Sequence, residues 1–335
     1  MSSEKDLRKR LAALNREPLP DRPKEDAEVA EMRRKLRKQR EKAGRAEAEQ
    51  QAQQARQAQP PQPSQAAQPP GAILYRRDLP QPSAKQYERA QAGPPVVLAE
   101  AVTGSEVDGP IGGKAFVIST DVSRIDKKAA RVCKTYEQML SQADSSSRLW
   151  LAGQCGAPDA GPQDLVFFDI ETTGLGAGPL FLIGAMYCES GRLVVRQYFA
   201  RTYAEERAVI ALFLRSFEDR KLLVSFNGKT FDLPYVRVRS AATGVPFDFD
   251  PPHFDLLHVS RRIWSGRLPN CKLQTLERII CGRLREGDIP GDQIPQAYHD
   301  YVRTGDARDM VECLKHNMLD LVTLADLMLR LPKPG

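Results

Sequence analysis

The sequence predicts an α/β fold in which helices flank a mixed β-sheet, preceded by a disordered basic N-terminal tail and a small accessory region. From residue 165 onward, three apolar strand-like segments come before an amphipathic helix, a fourth strand and mostly helical segments, an order typical of helices packed on a mixed sheet. Residues 37–72 contain no Val, Ile, Leu, Met, Phe, Trp, Tyr or Cys, so they cannot bury enough apolar surface to become ordered. The 335 residues suffice for one or two domains with a sizeable core.

The excess positive charge is concentrated in the N-terminal tail. Residues 1–58 contain 16 Lys and Arg against 11 Asp and Glu, whereas the other residues contain 33 against 32. The body is therefore nearly neutral, which excludes a protein that attracts polyanions over its whole surface. Eight Lys and Arg lie within Arg33–Arg45, and this run indicates either an arm that binds phosphates non-specifically or a solubilising tail.

Composition divides the chain into three predicted regions. Residues 1–72 form the tail, which ends in a Gln- and Pro-rich linker with the extended backbone typical of such segments. Residues 73–150 form the accessory region, in which VVLAEAV (96–102) and KAFVIST (114–120) are predicted strands and 129–140 is a predicted helix. Residues 151–335 form the main domain.

The first half of the main domain gives the most regular pattern. Its apolar segments are predicted strands, and its amphipathic segments, one of which ends at a glycine, are predicted helices. In chain order these are the strands LVFFDIET (165–172), LFLIGAMYC (180–188) and RLVVRQYFA (192–200), a helix over 205–220, the strand KLLVSFNG (221–228) and a helix over 231–244.

Several classes of protein are excluded by what the sequence lacks. No apolar run approaches the roughly 18 residues of a membrane span, and the first residues have no apolar segment of the kind that a secretory signal contains. The six cysteines are far apart and form no CxxC pair, which argues against a disulfide framework or a zinc site. We therefore expect free thiols, no membrane partner and a cytoplasmic location.

Two carboxylates on the predicted strand 165–172 indicate a cation-binding site. Because side chains alternate along a strand, Asp169 and Glu171 share one face, while Phe168 and Ile170 point into the core. Two such charges, about 7 Å apart along the strand, are expensive to bury without a cation. A hard divalent ion with oxygen ligands resolves this conflict.

Three further side chains have both a functional and an ordinary interpretation. Asp232 follows a strand and an Asn-Gly turn where a helix begins, so it is a candidate ligand or a helix cap. His316 and Asp320 are four residues apart on the C-terminal helix and share one face. They form either a catalytic pair or a surface pair.

Two other groups of side chains each have two interpretations. Asp255 and His258 either contribute to a site or make a local hydrogen bond. A group of basic residues either follows a nucleic-acid backbone or covers solvated helix faces: Arg237, Arg239, Arg261, Arg262, Arg267 and Lys272.

Taken together, the carboxylate segments resemble the three motifs of the DEDD, or DnaQ-like, 3′–5′ exonuclease superfamily. The motifs are FDIETTGL (168–175), NGKTFDLP (227–234) and HNMLD (316–320). Other stretches, including GPLFLIGAMY, QYFARTYAEE and CKLQTLERIICG, resemble the YprB-type ribonuclease H-like family. The resemblance covers residues 165–331, about half of the chain, and implies a ribonuclease H-like fold and nuclease activity.

The resemblance also implies roles for individual residues. Asp169, Glu171, Asp232 and Asp320 would be the metal carboxylates for two divalent ions, Mg²⁺ or Mn²⁺, and His316 would be the general base. His316 departs from the family pattern, because the histidine subclass places its His five residues before the last Asp and the tyrosine subclass places a Tyr four before. Residues near the substrate would be Thr172, Thr173 and Leu175 at the terminal nucleotide and Asn227 and Lys229 at the sugar-phosphate. Each of these could instead stabilise a turn or be solvated.

The sequence therefore predicts a metal-dependent nuclease that hydrolyses phosphodiester bonds, with 3′–5′ exonuclease action implied by the resemblance. The alternatives are a ribonuclease H-like nucleic-acid-binding module with little or no catalysis, and a protein whose tail recruits a partner while the body is accessory. The expected partner is nucleic acid, and the sequence does not distinguish DNA from RNA. Protein partners stay unknown, and exonuclease and endonuclease action both stay open.

Overall fold

The computed structural model describes residues 93–141, 160–174, 178–218, 220–248 and 250–331. All of them belong to one unit of the chain, residues 80–335. The predicted tail 1–72 and Leu175 lie outside the described residues. The domain boundaries at 72 and 150 stay predictions.

One sheet of seven strands organises the described fold. Its order is β1-β2-β5-β4-β3-β6-β7. The pairs from β1 to β3 are antiparallel, whereas β6 runs parallel to β3, and β7 runs parallel to β6. The strands are β1 (Ser105–Asp108), β2 (Lys114–Asp121), β3 (Leu165–Thr172), β4 (Leu180–Glu189), β5 (Arg192–Phe199), β6 (Leu222–Ser225) and β7 (His253–Asp255). The mixed α/β sheet predicted from the sequence is confirmed.

The accessory region differs in detail from its prediction. The predicted strand over 96–102 is wrong, because Leu98–Ala101 is a short helix composed of the strong helix formers Leu, Ala and Glu. The predicted strand over 114–120 is confirmed as β2, and it pairs with β5. Strands β1 and β2 therefore extend the same sheet that contains β3. The sequence analysis also missed β7, which is only three residues long.

Eight α-helices are described. They are α1 (Leu98–Ala101), α2 (Lys127–Ser141), α3 (Glu206–Ser216), α4 (Asp232–Thr243), α5 (Leu256–Trp264), α6 (Leu273–Ile279), α7 (Ile294–Thr304) and α8 (Arg308–Leu329). The predicted helices over 129–140, 205–220 and 231–244 correspond to α2, α3 and α4. Helix α4 ends at Gly244, which has a left-handed backbone with φ 69°, as expected for a glycine that terminates a helix.

Strand β3 contributes side chains alternately to two hydrophobic cores. Phe168 packs in one core with Phe213 of α3. Phe167 packs in the other core with Tyr136 of α2 and Trp264 of α5. Helices thus cover both faces of the sheet, and β3 lies near its centre.

Strand β3 brings the carboxylate motif to the edge of the sheet where the carboxyl ends of the parallel strands β3, β6 and β7 lie. It is the strand at which antiparallel pairing changes to parallel pairing, because its neighbours are β4 on one side and β6 on the other. Ligands of open α/β sheets bind outside the carboxyl ends of parallel strands, at such a change of topology. The 22 residues of α8, about 33 Å long, pack against β3 and bring the last motif to this edge.

Two further expectations concern membranes and thiols. No helix in the described ranges is long and apolar enough to cross a membrane. The five described cysteines are free thiols, as the wide spacing of cysteines in the sequence predicts. Burial raises the pKa of the Cys133 thiol to about 11, so this side chain is unreactive at neutral pH.

Candidate active site

Asp169 and Glu171 lie on one face of β3 near its carboxyl end. They are opposite Gly184 and Leu182 of β4, and the pairing register shifts between Glu171 and Thr172. Both side chains are partly exposed, whereas Phe168 and Ile170 are buried. The alternation predicted from the sequence is therefore confirmed.

Asp232 is the first residue of α4 and is buried. The N-cap of this helix is Phe231, which makes no side-chain capping hydrogen bond, so Asp232 is not the capping residue. Its carboxylate instead hydrogen-bonds to the backbone of Ile170 on β3. This contact brings the second motif beside the first.

Asp255 fixes the turn that precedes Asp232. One oxygen accepts hydrogen bonds from the backbone N–H of Asn227 at 2.8 Å and of Leu257 at 3.0 Å, and the other accepts from Lys229 at 3.1 Å. Asp255 thus caps α5 and holds the second motif at the same time. His258 is 3.9 Å from this carboxylate.

Helix α8 places three polar side chains beside β3. His316, Asn317 and Asp320 are all buried, so the interpretation of His316 and Asp320 as a surface pair is wrong. Asn317 donates from Nδ2 to the Asp169 carboxylate at 2.9 Å, and its Oδ1 accepts from Gln197 at 3.0 Å. Asn317 therefore holds one oxygen of Asp169 in a fixed orientation.

The close approach of Asn317 depends on a glycine in β4. A Cβ added at Gly184 would lie 2.1 Å from Asn317 Oδ1 and 2.9 Å from Leu321 Cδ1. No side chain at position 184 fits while Asn317 keeps its place. The sequence analysis missed both residues, and the only signal was the position of Asn317 inside the HNMLD motif.

A buried arginine, Arg285, neutralises the α8 side of the site. Its guanidinium pairs with Asp320 at 2.5 Å, Glu277 at 2.7 Å and Asp288 at 3.3 Å. Only 6% of the Arg285 side chain is exposed, so these pairs are shielded from solvent. The sequence analysis assigned no role to Arg285, Glu277 or Asp288, although Glu277 lies in the stretch CKLQTLERIICG (271–282) that it quoted.

The carboxylates on the β3 side have abnormal acidity. Burial, with the charges of Asp320 and Asp232 nearby, raises the pKa of Asp169 and of Glu171 well above their usual range. Burial also raises the pKa of Asp232 to about 7, although hydrogen bonds from the backbone oppose this shift. Among the described residues, no Lys or Arg forms an ion pair with any of the three. Such mutual repulsion among neighbouring carboxylates is typical of a functional site.

His316 lies between two carboxylates. Its Nδ1 hydrogen-bonds to both oxygens of Asp288 at 3.0 Å, and its Nε2 is 3.4 Å from Asp320. Burial lowers the pKa of His316, but Asp288 and Asp320 outweigh burial, and the net pKa is raised. Asp288 therefore fixes the ring so that Nε2 faces the carboxylates.

Comparison with known proteins decides the family. A model of the RNase H superfamily matches residues 166–331. Residues 166–331 belong to the RNase H superfamily. The chain is also 32% identical over 202 residues to the uncharacterized protein YprB of Bacillus subtilis (strain 168), an alignment that covers 58% of this chain and 49% of YprB.

Two polymerases are also similar to parts of the chain. The DNA polymerase of Desulfurococcus sp. (strain Tok) is 27% identical over 175 residues, which is 42% of this chain and 22% of the polymerase. The family B DNA polymerase of the archaeon Pyrobaculum calidifontis has a TM-score of 0.40 and 19% identity, over 49% of this chain and 24% of that chain. The chain thus spans about half of YprB and a smaller share of the polymerases.

Within this RNase H fold, the residues predicted to contact substrate lie around the motifs. Thr172 Oγ1 donates to the carbonyl of Gly174 at 3.0 Å, and Thr173 Oγ1 donates to that of Pro179 at 3.2 Å. Asn227 has a left-handed backbone, with φ 68°, and Lys229 is exposed. Asn227 and both threonines therefore have a turn function, which is compatible with substrate contact but does not require it.

The donor set of the candidate site fits hard divalent ions. Asp169, Glu171, Asp232 and Asp320 supply only oxygen, which Mg²⁺ and Mn²⁺ prefer. The raised pKa values on the β3 side show that positive charge would relieve repulsion there. Within the described ranges, however, no group of three or more His, Cys, Asp or Glu is arranged as a ready-made metal site. One reason is that Asp320 faces Arg285.

Proposed function

We propose that this protein is a metal-dependent nuclease, a 3′–5′ exonuclease that hydrolyses phosphodiester bonds of DNA or RNA. The observation that carries the proposal is the group of Asp169, Glu171 and Asp232, whose pKa values burial and mutual repulsion raise. A fold gains nothing in stability from such a group, so a cation-dependent function explains it. Membership of residues 166–331 in the RNase H superfamily and the similarity to DNA polymerases support nucleic acid as the substrate.

In this proposal two divalent ions, Mg²⁺ or Mn²⁺, are held by Asp169, Glu171, Asp232 and Asp320. When bound, they supply charge stabilisation at the scissile phosphate and lower the pKa of the attacking water. His316 accepts a proton at Nε2, while Asp288 holds the ring through Nδ1. Thr172, Thr173 and Leu175 contact the terminal nucleotide, and Asn227 and Lys229 contact the sugar-phosphate. The proposal includes a cytoplasmic location.

A gel assay tests the proposal directly. The substrates are single- and double-stranded DNA and RNA labelled at the 5′ end, each incubated with Mg²⁺, Mn²⁺ or EDTA. We expect a ladder that shortens from the 3′ end and disappears in EDTA. His316→Ala should slow hydrolysis by about 10²–10⁴-fold, as for a lost general base. Cuts at internal positions would contradict exonuclease action, and an undiminished rate in the variant would contradict the role of His316.

The second candidate is an RNase H-like module that binds nucleic acid with little or no catalysis. The observation in its favour is the ion pair between Arg285 and Asp320, which neutralises one of the four carboxylates without a metal. The same gel separates the two candidates. Retarded bands without cleavage in either metal would favour the binding module.

A further inference from the structure

The last turn of α5 and the loop that leads to α6 carry unusual charge. We call residues 261–272 the basic connector; it contains four Lys and Arg and no Asp or Glu. By contrast, two arginines of α4 form ion pairs with carboxylates: Arg237 with Asp250 and Arg239 with Glu206, both at 2.6 Å. In the connector, Arg261, Arg267 and Lys272 are exposed, and no carboxylate of the described residues pairs with them.

The basic connector is held firmly despite its exposed charges. Trp264 is buried, and Leu268 and Cys271 pack against the same core. The backbone N–H groups of Arg267 and Leu268 donate to the Trp264 carbonyl at 3.0 and 3.1 Å. A depression of about 460 Å³ in this segment is lined by Arg261 and Arg262. The cations are therefore presented on an ordered backbone, which reduces the entropy cost of binding a ligand.

The basic connector is structurally continuous with the candidate active site. Helix α5 begins directly after Asp255, the residue that holds Asn227 and Lys229 of the second motif. Arg261 is six residues beyond Asp255, about 9 Å along the helix, and the rest of the connector follows at the end of α5. Lys229, on the turn that Asp255 holds, is also exposed.

We propose that the basic connector binds the phosphate backbone of the nucleic-acid strand whose end lies at the carboxylates. This inference rests on the proposed function and adds a second substrate subsite to it. The carboxylates themselves repel a polyanion, so affinity for the strand must come from cations outside them. Phosphate contacts of this kind carry no sequence information and make binding dependent on salt.

Salt-dependent binding tests the subsite independently of hydrolysis. The full chain with Asp169→Asn, which prevents cleavage, is titrated with a long labelled oligothymidine at increasing salt. A variant with Arg261→Gln, Arg267→Gln and Lys272→Gln is compared with a control that has Lys127→Gln, Arg131→Gln and Lys134→Gln, three exposed cations of α2. We expect the slope of log affinity against log salt to fall by about two in the connector variant, since each lost phosphate contact contributes about 0.7, and to stay unchanged in the control.

Activity separates failure of this inference from failure of the proposed function. In the otherwise wild-type chain, the connector changes should lower kcat/KM for the long strand relative to that for a dinucleotide by about tenfold. If the wild type hydrolyses neither substrate, the proposed function fails, and the salt slope still decides the subsite. An unchanged slope, or an equal fall in the α2 control, would overturn the inference. Competition by polyglutamate as strong as that by oligothymidine would overturn it in favour of an acidic polypeptide.

Discussion

The two sides of the candidate active site differ in whether a cation neutralises their carboxylates. The β3 side comprises Asp169, Glu171 and Asp232, and the α8 side comprises the carboxylates that pair with Arg285. On the β3 side, Asp169 and Glu171 have pKa values raised by burial and by neighbouring carboxylates. On the α8 side, the pKa of Asp288 is lowered, because hydrogen bonding to His316 and the charge of Arg285 outweigh burial. The α8 side therefore carries its own cation, whereas the β3 side carries none among the described residues.

This difference distinguishes carboxylates whose ion pairs stabilise the fold from carboxylates that would be neutralised only by a bound cation. Arg285 joins α6, the 283–288 loop and α8 through Glu277, Asp288 and Asp320. Asp320 belongs to both sides, since it pairs with Arg285 and also acts on the pKa of Asp169. A cation that binds on the β3 side would share Asp320 with Arg285. The comparison predicts opposite effects on stability when one charge is removed from each side.

The largest expected effect is that of Asp169→Asn on hydrolysis. The amide keeps the shape of the side chain and can still accept from Asn317, but it removes the charge that a divalent ion needs. We expect hydrolysis to fall below detection in the gel assay. In EDTA, the free energy of unfolding should rise, because the variant removes a charge whose pKa the fold raises.

The same substitution at Asp121 provides the matched control. Hydrogen bonds from Ser123 lower the pKa of Asp121, so the fold favours its charged form. Asp121→Asn should leave hydrolysis unchanged and should not raise stability. A less stable Asp169→Asn protein in EDTA would contradict the assignment of the β3 side as repulsive.

The next largest effect is expected from Arg285→Gln, on the opposite side. This change removes Arg285 from the buried Glu277 and Asp320 and from the half-buried Asp288, and breaking a buried pair costs about 3–5 kcal/mol. Chemical denaturation should therefore show a large loss of unfolding free energy. Arg303→Gln is the control, since Arg303 pairs with Asp300 at 3.0 Å while 71% of its side chain is exposed. An exposed pair contributes about 0–1 kcal/mol, so equal losses in the two variants would remove the distinction between the sides.

The contacts of the candidate site that were predictable from the sequence are those between residues close together in the chain. The alternation of a strand places Asp169 and Glu171 on one face, and the spacing of four on a helix places His316 and Asp320 together, 3.4 Å apart. Both inferences use only the period of a secondary structure. The strands β3, β4 and β5 are confirmed because they have dense apolar patterns.

The other contacts of the α8 side were not predictable because they join residues that are distant in sequence. Arg285 and Asp320 are 35 residues apart, Asp288 and His316 are 28 apart, and Asn317 reaches Asp169 across 148 residues. Only tertiary packing brings such pairs together. The helix at Leu98–Ala101 was predicted as a strand for a related reason, since a segment of four residues is too short to show a period.

An intermediate effect is expected from His253, a buried side chain whose ring lies 5.8 Å from that of Phe168 on β3. Burial lowers its pKa from 6.5 to about 4, and its Nε2 hydrogen-bonds to Ser225 at 2.7 Å. As the pH falls below 6.5, the unfolded chain binds a proton that the native ring does not bind until about 4. His253 should therefore cost the fold about 3 kcal/mol between these pH values.

The unfolding free energies of the wild type and of His253→Gln are compared over this pH range. The comparison cancels the effect of the carboxylates, whose raised pKa values make the fold more stable as the pH falls. Unfolding free energies of the two proteins should converge, or change order, as the pH falls from about 7 to about 4. His258→Gln, at a side chain that is 55% exposed, is the control and should run parallel to the wild type. A parallel His253→Gln curve would mean that the ring becomes charged inside the fold and that the β3 side can supply its own cation.

The smallest expected effect is that of Gly184→Ala, which tests how the two sides are held together. The added Cβ would lie 2.1 Å from Asn317 Oδ1, so Asn317 must withdraw from the Asp169 carboxylate. Overpacking of this kind costs about 1–3 kcal/mol, and loss of the hydrogen bond to a ligating carboxylate lowers metal affinity by about 10–100-fold. Gly291→Ala is the control, because a Cβ there meets nothing within 4 Å. Calorimetric titration with Mn²⁺ would measure the affinity of each variant directly. If Gly184→Ala lost stability and kept its Mn²⁺ affinity, the orientation of Asp169 would not depend on Asn317, and β3 alone would position that carboxylate.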